Sequence, residues 1–585
     1  MKTDVNYYLL ITNYKFHKPT IFLVSFFCLL EGVGIFMEDE KTKTKKTYIS
    51  VLALTMMNVS IVAGLANDVQ QSFYGLASVT YFAIGAICFF IPTALVAAEL
   101  ASGWSNRGGI FRWVGEGLGK GWGLTCLLIL WFQLILNFGM GMPSFTATIM
   151  FYTPNYDAAV KFAQAPQHEL LIMTGWIILY WVLTYLATKG VKAFSNIAKY
   201  GVIIGSLIPL AVMIILAIVW VAQGHQPVIP MTPKGLIPKW NGMSTLALAA
   251  GVFFSYTGID TNAAHIKQLK HPEKDFTKAM FISIILAFLI FVVGTVIIAM
   301  IIPEKQINVL YTLYSVFRIL GSTIGMPWLY MVLVWALLFN TIAMVVTNMA
   351  GPSFMLGQVG GSGFLPHWFQ QNNKHNMPAH LMYTQIAGMT IVAYLVKLIP
   401  NVEGFVILLT QTITVLYMIY YILMFTAFLR LRYDQPNRPR SFKVPGGKFG
   451  AWLVGGVGII SSVFGIVLAI YPPAQVKAEV GSLIVYVSVI LALVAVVLIV
   501  CFVLYQLSKK HTDWVNPNNK FAPFTWEIEG LKKPGKALSN VPTTVMSKDQ
   551  NPMGMPIKRP YKPNEQVSDD IVKADENNEI STDES

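Results

Sequence analysis

Phe253-Phe254-Ser255-Tyr256-Thr257-Gly258-Ile259-Asp260 lies inside an apolar run, Met243 to about His265, that is long enough to cross a bilayer. Yet the stretch carries hydroxyls, a glycine and one carboxylate. Lipid solvates neither free backbone nor charge, so such a segment is stable only against protein or a wet cavity. An ionisable residue at this depth marks a functional site by default. These residues alone leave two readings open. In the first, the helix breaks here and the break holds a small solute. In the second, the helix stays intact, Ser255 and Thr257 bond back to their own carbonyls, and Asp260 faces cytoplasmic water.

Composition sets the surroundings. Of 585 residues, 55% are hydrophobic and only 12% charged, about half the charged share of a soluble domain. Long apolar stretches recur throughout, which describes a polytopic, all-α membrane protein; a β-barrel would show short alternating strands. The net charge of +13 maps mostly to short loops, where it sets orientation, so no nucleic-acid partner is expected. Cys28, Cys88, Cys126 and Cys501 all sit in apolar runs without metal-like spacing and read as packing residues. No metal or other cofactor is expected, and no nucleophile, base and acid converge as in an enzyme.

Residues 1–46 form an N-terminal segment in which Ile21–Phe36 is apolar but short and contains Glu31. The run Met37-Glu-Asp-Glu-Lys-Thr-Lys-Thr-Lys-Lys reads like an ordinary cytosolic N-terminus, and Met37 is the preferred start. Residues 47–507 divide into twelve expected spans, near 47–66, 74–100, 122–150, 170–188, 200–222, 243–265, 278–302, 326–350, 380–399, 404–429, 450–471 and 483–507. Lysine and arginine favour the loops of one side roughly threefold, which predicts a multi-pass protein of the cell membrane with both termini cytoplasmic. From Ser508 to Ser585 the chain turns polar and ends in Asp and Glu, a composition that stays largely disordered. Its middle holds Phe521, Phe524, Trp526, Ile528 and Leu531, which either dock on the membrane domain or belong to a solvated tail; the solvated tail is the expected reading.

The first span matches the sixth. Asn58-Val59-Ser60-Ile61-Val62-Ala63-Gly64-Leu65-Ala66-Asn67-Asp68 places polar and small residues near its middle. Two interrupted helices five spans apart point to an inverted-repeat transporter, spans 1–5 against 6–10. Freed N–H groups at such breaks suit a carboxylate and freed carbonyls suit an ammonium, so a zwitterion fits the pair. Close helix packing through Ala63 and Gly64 is the alternative for span one.

Further motifs make the chain recognisable. They are Gly108-Gly109-Ile110-Phe111-Arg112-Trp113-Val114 after Glu99, Ser255–Asp260 followed by Lys270-His271-Pro272, Gly351-Pro352-Ser353, and Phe442-Lys443-Val444-Pro445-Gly446-Gly447. In this order and on these spans they resemble the amino acid–polyamine–organocation superfamily, most nearly its glutamate/γ-aminobutyrate antiporters, over roughly Thr47 to Leu507. The resemblance implies a LeuT-like 5+5 inverted repeat with helices 1 and 6 broken and two further helices. It implies a substrate backbone lying against Val62, Ala63, Gly64 and Leu65 and against Ser255, Tyr256, Thr257 and Gly258. Phe254 matches an aromatic gate, and Tyr417 and Tyr421 match tyrosines of the tenth span near the solute. Asp260 stands where glutamate is usual and is the candidate pH-sensing or coupling residue, since charge at this depth is costly. On span eight, Met344 and Asn348 stand where glutamate exchangers carry Glu and Trp, and Ala66 replaces a tyrosine, so glutamate is not carried over as substrate.

The leading expectation is therefore an amino acid antiporter working by alternating access, its partners an amino acid or amine, the lipid bilayer and, as a candidate coupling ion, the proton. Proton symport is the near alternative. Proton symporters of the superfamily place a lysine mid-way along span five, and Gly201–Gly224 has none. An amino acid or amine channel, or a transceptor, would use the same wet centre.

Overall fold

The structure, a computed structural model, describes residues 48–528 and residue 534. Short stretches at 105–107, 152–155, 159–165, 191–198, 239–245, 247–248, 263–268, 309–311, 398–401, 441, 472–482 and 517–522 are excepted. The expectations for residues 1–47 and for most of the tail lie outside the described residues.

Helices dominate. Helix α1 (Val51–Val62) starts at Ser50, whose hydroxyl accepts the Ala53 N–H at 3.1 Å and so satisfies one of the donors a helix start leaves free. Two extended residues, Ala63 and Gly64, separate it from α2 (Leu65–Gln71). There follow α3 (Ala77–Gly103), the short α4 (Ile110–Leu118), α5 (Lys120–Met150), α6 (Pro166–Ala187) and α7 (Lys199–Ala222). The second half has α8 (Ala250–Ser255), α9 (Pro272–Ile301), α10 (Thr312–Ser322) and α11 (Leu329–Gly360). It ends with α12 (Ala379–Lys397), α13 (Val402–Asp434), α14 (Gly447–Ile470), α15 (Leu483–Lys510) and α16 (Thr525–Ile528).

Among the described residues, eight helices are long and apolar enough to cross a membrane: the spans within α3, α5, α7, α9, α11, α13, α14 and α15. The chain is thus an all-helical, multi-pass membrane protein. The expected first and sixth spans escape this length criterion because each is interrupted. Their flanks still meet, in a parallel bridge between Ile49 and Leu269.

Two wide turns accompany prolines. Residues Ala86–Phe90 of α3 and Ile203–Leu207 of α7 form π-helical turns, each followed closely by a proline, Pro92 and Pro209. Proline lacks the N–H and clashes with the carbonyl four residues back, so a locally wider turn absorbs the fault. Helix α7 then closes on α11: a Cβ on Gly201 would lie 2.3 Å from Ala343 Cβ, and one on Gly205 2.5 Å from Ala336 O. Small residues four apart let two backbones approach where lipid supplies no hydrophobic drive.

Candidate functional site

The sixth segment is broken. Helix α8 ends at Ser255, and Tyr256 to Asp260 form turns before Thr261 and Asn262. Gly258 has φ +92°, a region that residues with a Cβ seldom enter. Ser255 Oγ does bond back to Gly251 O at 2.8 Å, and Thr257 Oγ1 to Phe254 O at 2.7 Å, yet the helix still ends here. Back-bonding and breakage coexist, although the residues alone offered them as alternatives.

Asp260 is buried rather than turned to water. Tyr421 Oη donates to its Oδ1 at 2.8 Å and Tyr420 Oη donates to its Oδ2. The Gly258 N–H donates in turn to Tyr421 Oη at 2.8 Å. A chain of bonds therefore runs from the freed backbone through one phenol to the carboxylate. No basic side chain pairs with Asp260 among the described residues. Two phenols, rather than a cation, satisfy its carboxylate oxygens.

The two breaks abut. A Cβ on Gly258 would lie 2.7 Å from Ile61 Cγ2 and 3.6 Å from Tyr417 Oη. Asn262 Nδ2 donates to Asn58 Oδ1 at 3.0 Å, tying the segments again one turn away. Gly64 caps α2 with no side-chain hydrogen bond, and a Cβ there would stand 3.0 Å from Asn340 Nδ2. Val62, Ala63 and Leu65 are buried beside it. The Phe254 ring lies 6.3 Å from that of Tyr417, whose hydroxyl accepts from Gln133 Nε2 at 2.7 Å.

Two sequence-derived candidates are directed elsewhere. Tyr256 donates to Phe82 O at 3.0 Å and stacks on Phe90 at 4.5 Å, so its ring packs against α3. Asn348 Nδ2 donates to Met344 O at 2.9 Å within α11. Four residues were missed. Tyr420 carried a readable signal, since tyrosines at 417, 420 and 421 share one helix face. Gln133 is an isolated amide in an apolar run. Asn340 accepts from Ser206 Oγ at 3.1 Å, joining α11 to α7 beside Gly64, and neither residue stands out by spacing.

A second polar cluster closes the lysine-rich face. Glu99 accepts from Arg440 at 2.5 Å, from Arg432 at 2.6 Å and from the Val444 N–H at 2.7 Å, all buried. Beside it Glu116 pairs with Arg112 at 2.9 Å and accepts from Thr525 N and Oγ1. Here the tail corrects the solvated reading. Phe524 and Trp526 are buried, Trp526 Nε1 donates to Gly115 O at 3.1 Å, and the Arg112 guanidinium lies 5.1 Å from the Phe524 ring. Gly115 and Gly123 bring α4 close to α5, which leaves a shelf that the Phe524 ring fills. Earlier in the tail, Asn516 N donates to Gly361 O at 2.8 Å and Gln370 Nε2 to Trp514 O at 2.7 Å.

Interrupted helices around buried polar groups, with apolar helices outside, define a membrane transporter. The chain belongs to the amino acid permease family, whose model matches residues 48–516, and is no enzyme. It is 29% identical over 434 residues to an uncharacterised transporter of Legionella pneumophila, covering 74% of this chain and 92% of the relative. It is 28% identical over 441 residues to a glutamate/γ-aminobutyrate antiporter of Lactococcus lactis, covering 74% and 85%. A probable agmatine/putrescine antiporter of the same species is 22% identical over 414 residues, covering 70% and 84%.

Proposed function

We propose that the protein is an amino acid antiporter of the cell membrane, with twelve spans in a 5+5 inverted repeat and both termini cytoplasmic. It exchanges an amino acid for a related amine or amino acid by alternating access. The supporting observation is the meeting of two helix interruptions, Gly258 against Ile61, beside buried tyrosines of α13. In this reading the backbone freed around Ala63–Gly64 and Thr257–Gly258 receives the carboxylate and ammonium of the solute. Phe254 of α8 and Tyr417 of α13 cover it. Two relatives are named as a glutamate/γ-aminobutyrate antiporter and a probable agmatine/putrescine antiporter, and that favours exchange. Ser206 and Asn340, both neutral, occupy the contact of α7 with α11 beside Gly64, where a lysine would be expected for proton symport.

Purified protein in liposomes loaded with unlabelled amino acid tests this. Labelled amino acid should accumulate only against a counter-substrate, and uptake into empty liposomes driven by a proton gradient would overturn exchange. With Met344 and Asn348 on α11, and no cation beside the breaks among the described residues, a second carboxylate has no fixed partner. Neutral or aromatic amino acids should compete well and glutamate poorly; strong competition by glutamate would refute this selectivity.

A further inference from the structure

Between the end of α13 and the start of α14 lies a cavity of about 160 Å³ whose lining includes Arg432, Tyr433, Lys443, Gly447, Lys448 and Trp452. Drug-sized ligands need roughly 300–1,000 Å³, so this volume suits a small polar headgroup. Among the described residues, no acidic side chain lines it. Arg432 shares Glu99 with Arg440, one carboxylate against two guanidiniums, and its side chain is only 8% exposed. Its Nε has no hydrogen-bond partner among the described residues. Lys443 and Lys448 are exposed and enter no ion pair with the described residues.

The start of α14 contributes independently. Gly446 is left-handed (φ +87°) and supplies no side-chain cap, and the first turn has no acidic residue. This 24-residue helix therefore opens its free N–H groups and positive end at Gly447 and Lys448, on the cavity wall. Guanidinium, ammonium and backbone N–H groups here share an anionic complement, and phosphate is the anion that a bilayer supplies at its surface. The next turns of α14 identify the molecule carrying it. Phe449, Trp452 and Leu453 are 76%, 52% and 54% exposed, an apolar surface at the height where lipid tails begin. Trp452 Nε1 donates to Tyr433 Oη at the same level, the usual depth of aromatic side chains at a headgroup boundary.

We propose that this cavity binds the phosphate of an anionic phospholipid, with its acyl chains lying along α14. Basic pockets between helices at the lysine-rich face suit such headgroups, at about 1 kcal/mol for each lysine or arginine near the surface. The test is native mass spectrometry of the full-length protein in detergent, titrated with phosphatidylglycerol or with phosphatidylcholine of the same chains. The double variant Lys443→Gln/Lys448→Gln should bind phosphatidylglycerol roughly thirtyfold more weakly than the wild type and phosphatidylcholine equally. Each single variant should lose about fivefold, which keeps the test usable if the double variant folds poorly. A control pair on α15, Lys509→Gln/Lys510→Gln, should keep wild-type affinity. Equal phosphatidylglycerol binding by wild type and double variant would overturn the proposal, as would an equal loss in the control pair. Displacement of the lipid by inorganic phosphate would reassign the cavity to a free anion.

Discussion

Replacing Gly258 by leucine sets two costs against the broken-helix reading. The backbone there has φ +92°, and a side chain in such a region costs on the order of 1–3 kcal/mol. The new Cβ would stand 2.7 Å from Ile61 Cγ2, and overpacking of that kind costs about 1–3 kcal/mol more. Taking ~3 kcal/mol, within the summed range of about 2–6, the ratio of the native break to its alternatives falls by about two orders of magnitude. Counterflow in proteoliposomes should drop accordingly, while the variant still inserts and remains monodisperse. The paired variant Gly258→Ala/Ile61→Ala separates the two costs, because it relieves the contact and leaves the backbone strain. It should recover part of the activity lost by Gly258→Ala alone. Unaltered transport by Gly258→Leu would refute the reasoning outright.

Other perturbations probe the surrounding groups. Asp260→Asn keeps the shape that Tyr420 and Tyr421 bind but removes the ionisable group, so the pH dependence of exchange should flatten; a wild-type profile would make the carboxylate purely structural. Glu99→Gln leaves Arg432 and Arg440 without their shared counter-charge and should destabilise the protein by about 3–5 kcal/mol. A melting temperature within experimental error of wild type would count against that. Truncation after Lys510 removes Phe524 and Trp526 from α4 and, with that brake on the helix gone, should raise transport at neutral pH. Equal neutral-pH rates for truncated and full-length protein would reduce the tail to a passive attachment.

The spans are legible because lipid enforces one rule over twenty residues at a time, and apolar length is a local property. The sixth break is half legible. A glycine and hydroxyls in an apolar run give its place, while its partners lie outside any local window. From sequence Asp260 reads as a sensor or a residue near water, and it proves a buried acceptor for two phenols of α13. The motifs around Glu99 and Phe442–Gly447 look separate in the chain, yet one carboxylate joins them, since Glu99 accepts from the Val444 N–H. The ring direction of Tyr256 is not legible, because adjacency to a break does not fix it, and burial against Phe90 decides it. The tail misleads through composition. Pro523 to Ile528 is too short and polar to bury itself, but two aromatic rings suffice when a glycine-lined shelf is already built.

Tyr421 has a mechanical meaning as well as a chemical one. Its hydroxyl grips the unwound segment at two points, the Gly258 N–H and the Asp260 carboxylate, and so acts as a strut across the loop. The strut is anchored 163 residues further along the chain. Gly258 gives the sixth segment permission to unwind, but a distant helix dictates how wide it opens. Rocking of the sixth segment must therefore either carry α13 along or snap two short bonds in succession. In an alternating-access cycle, the unit that moves would be the pair, not the broken helix by itself.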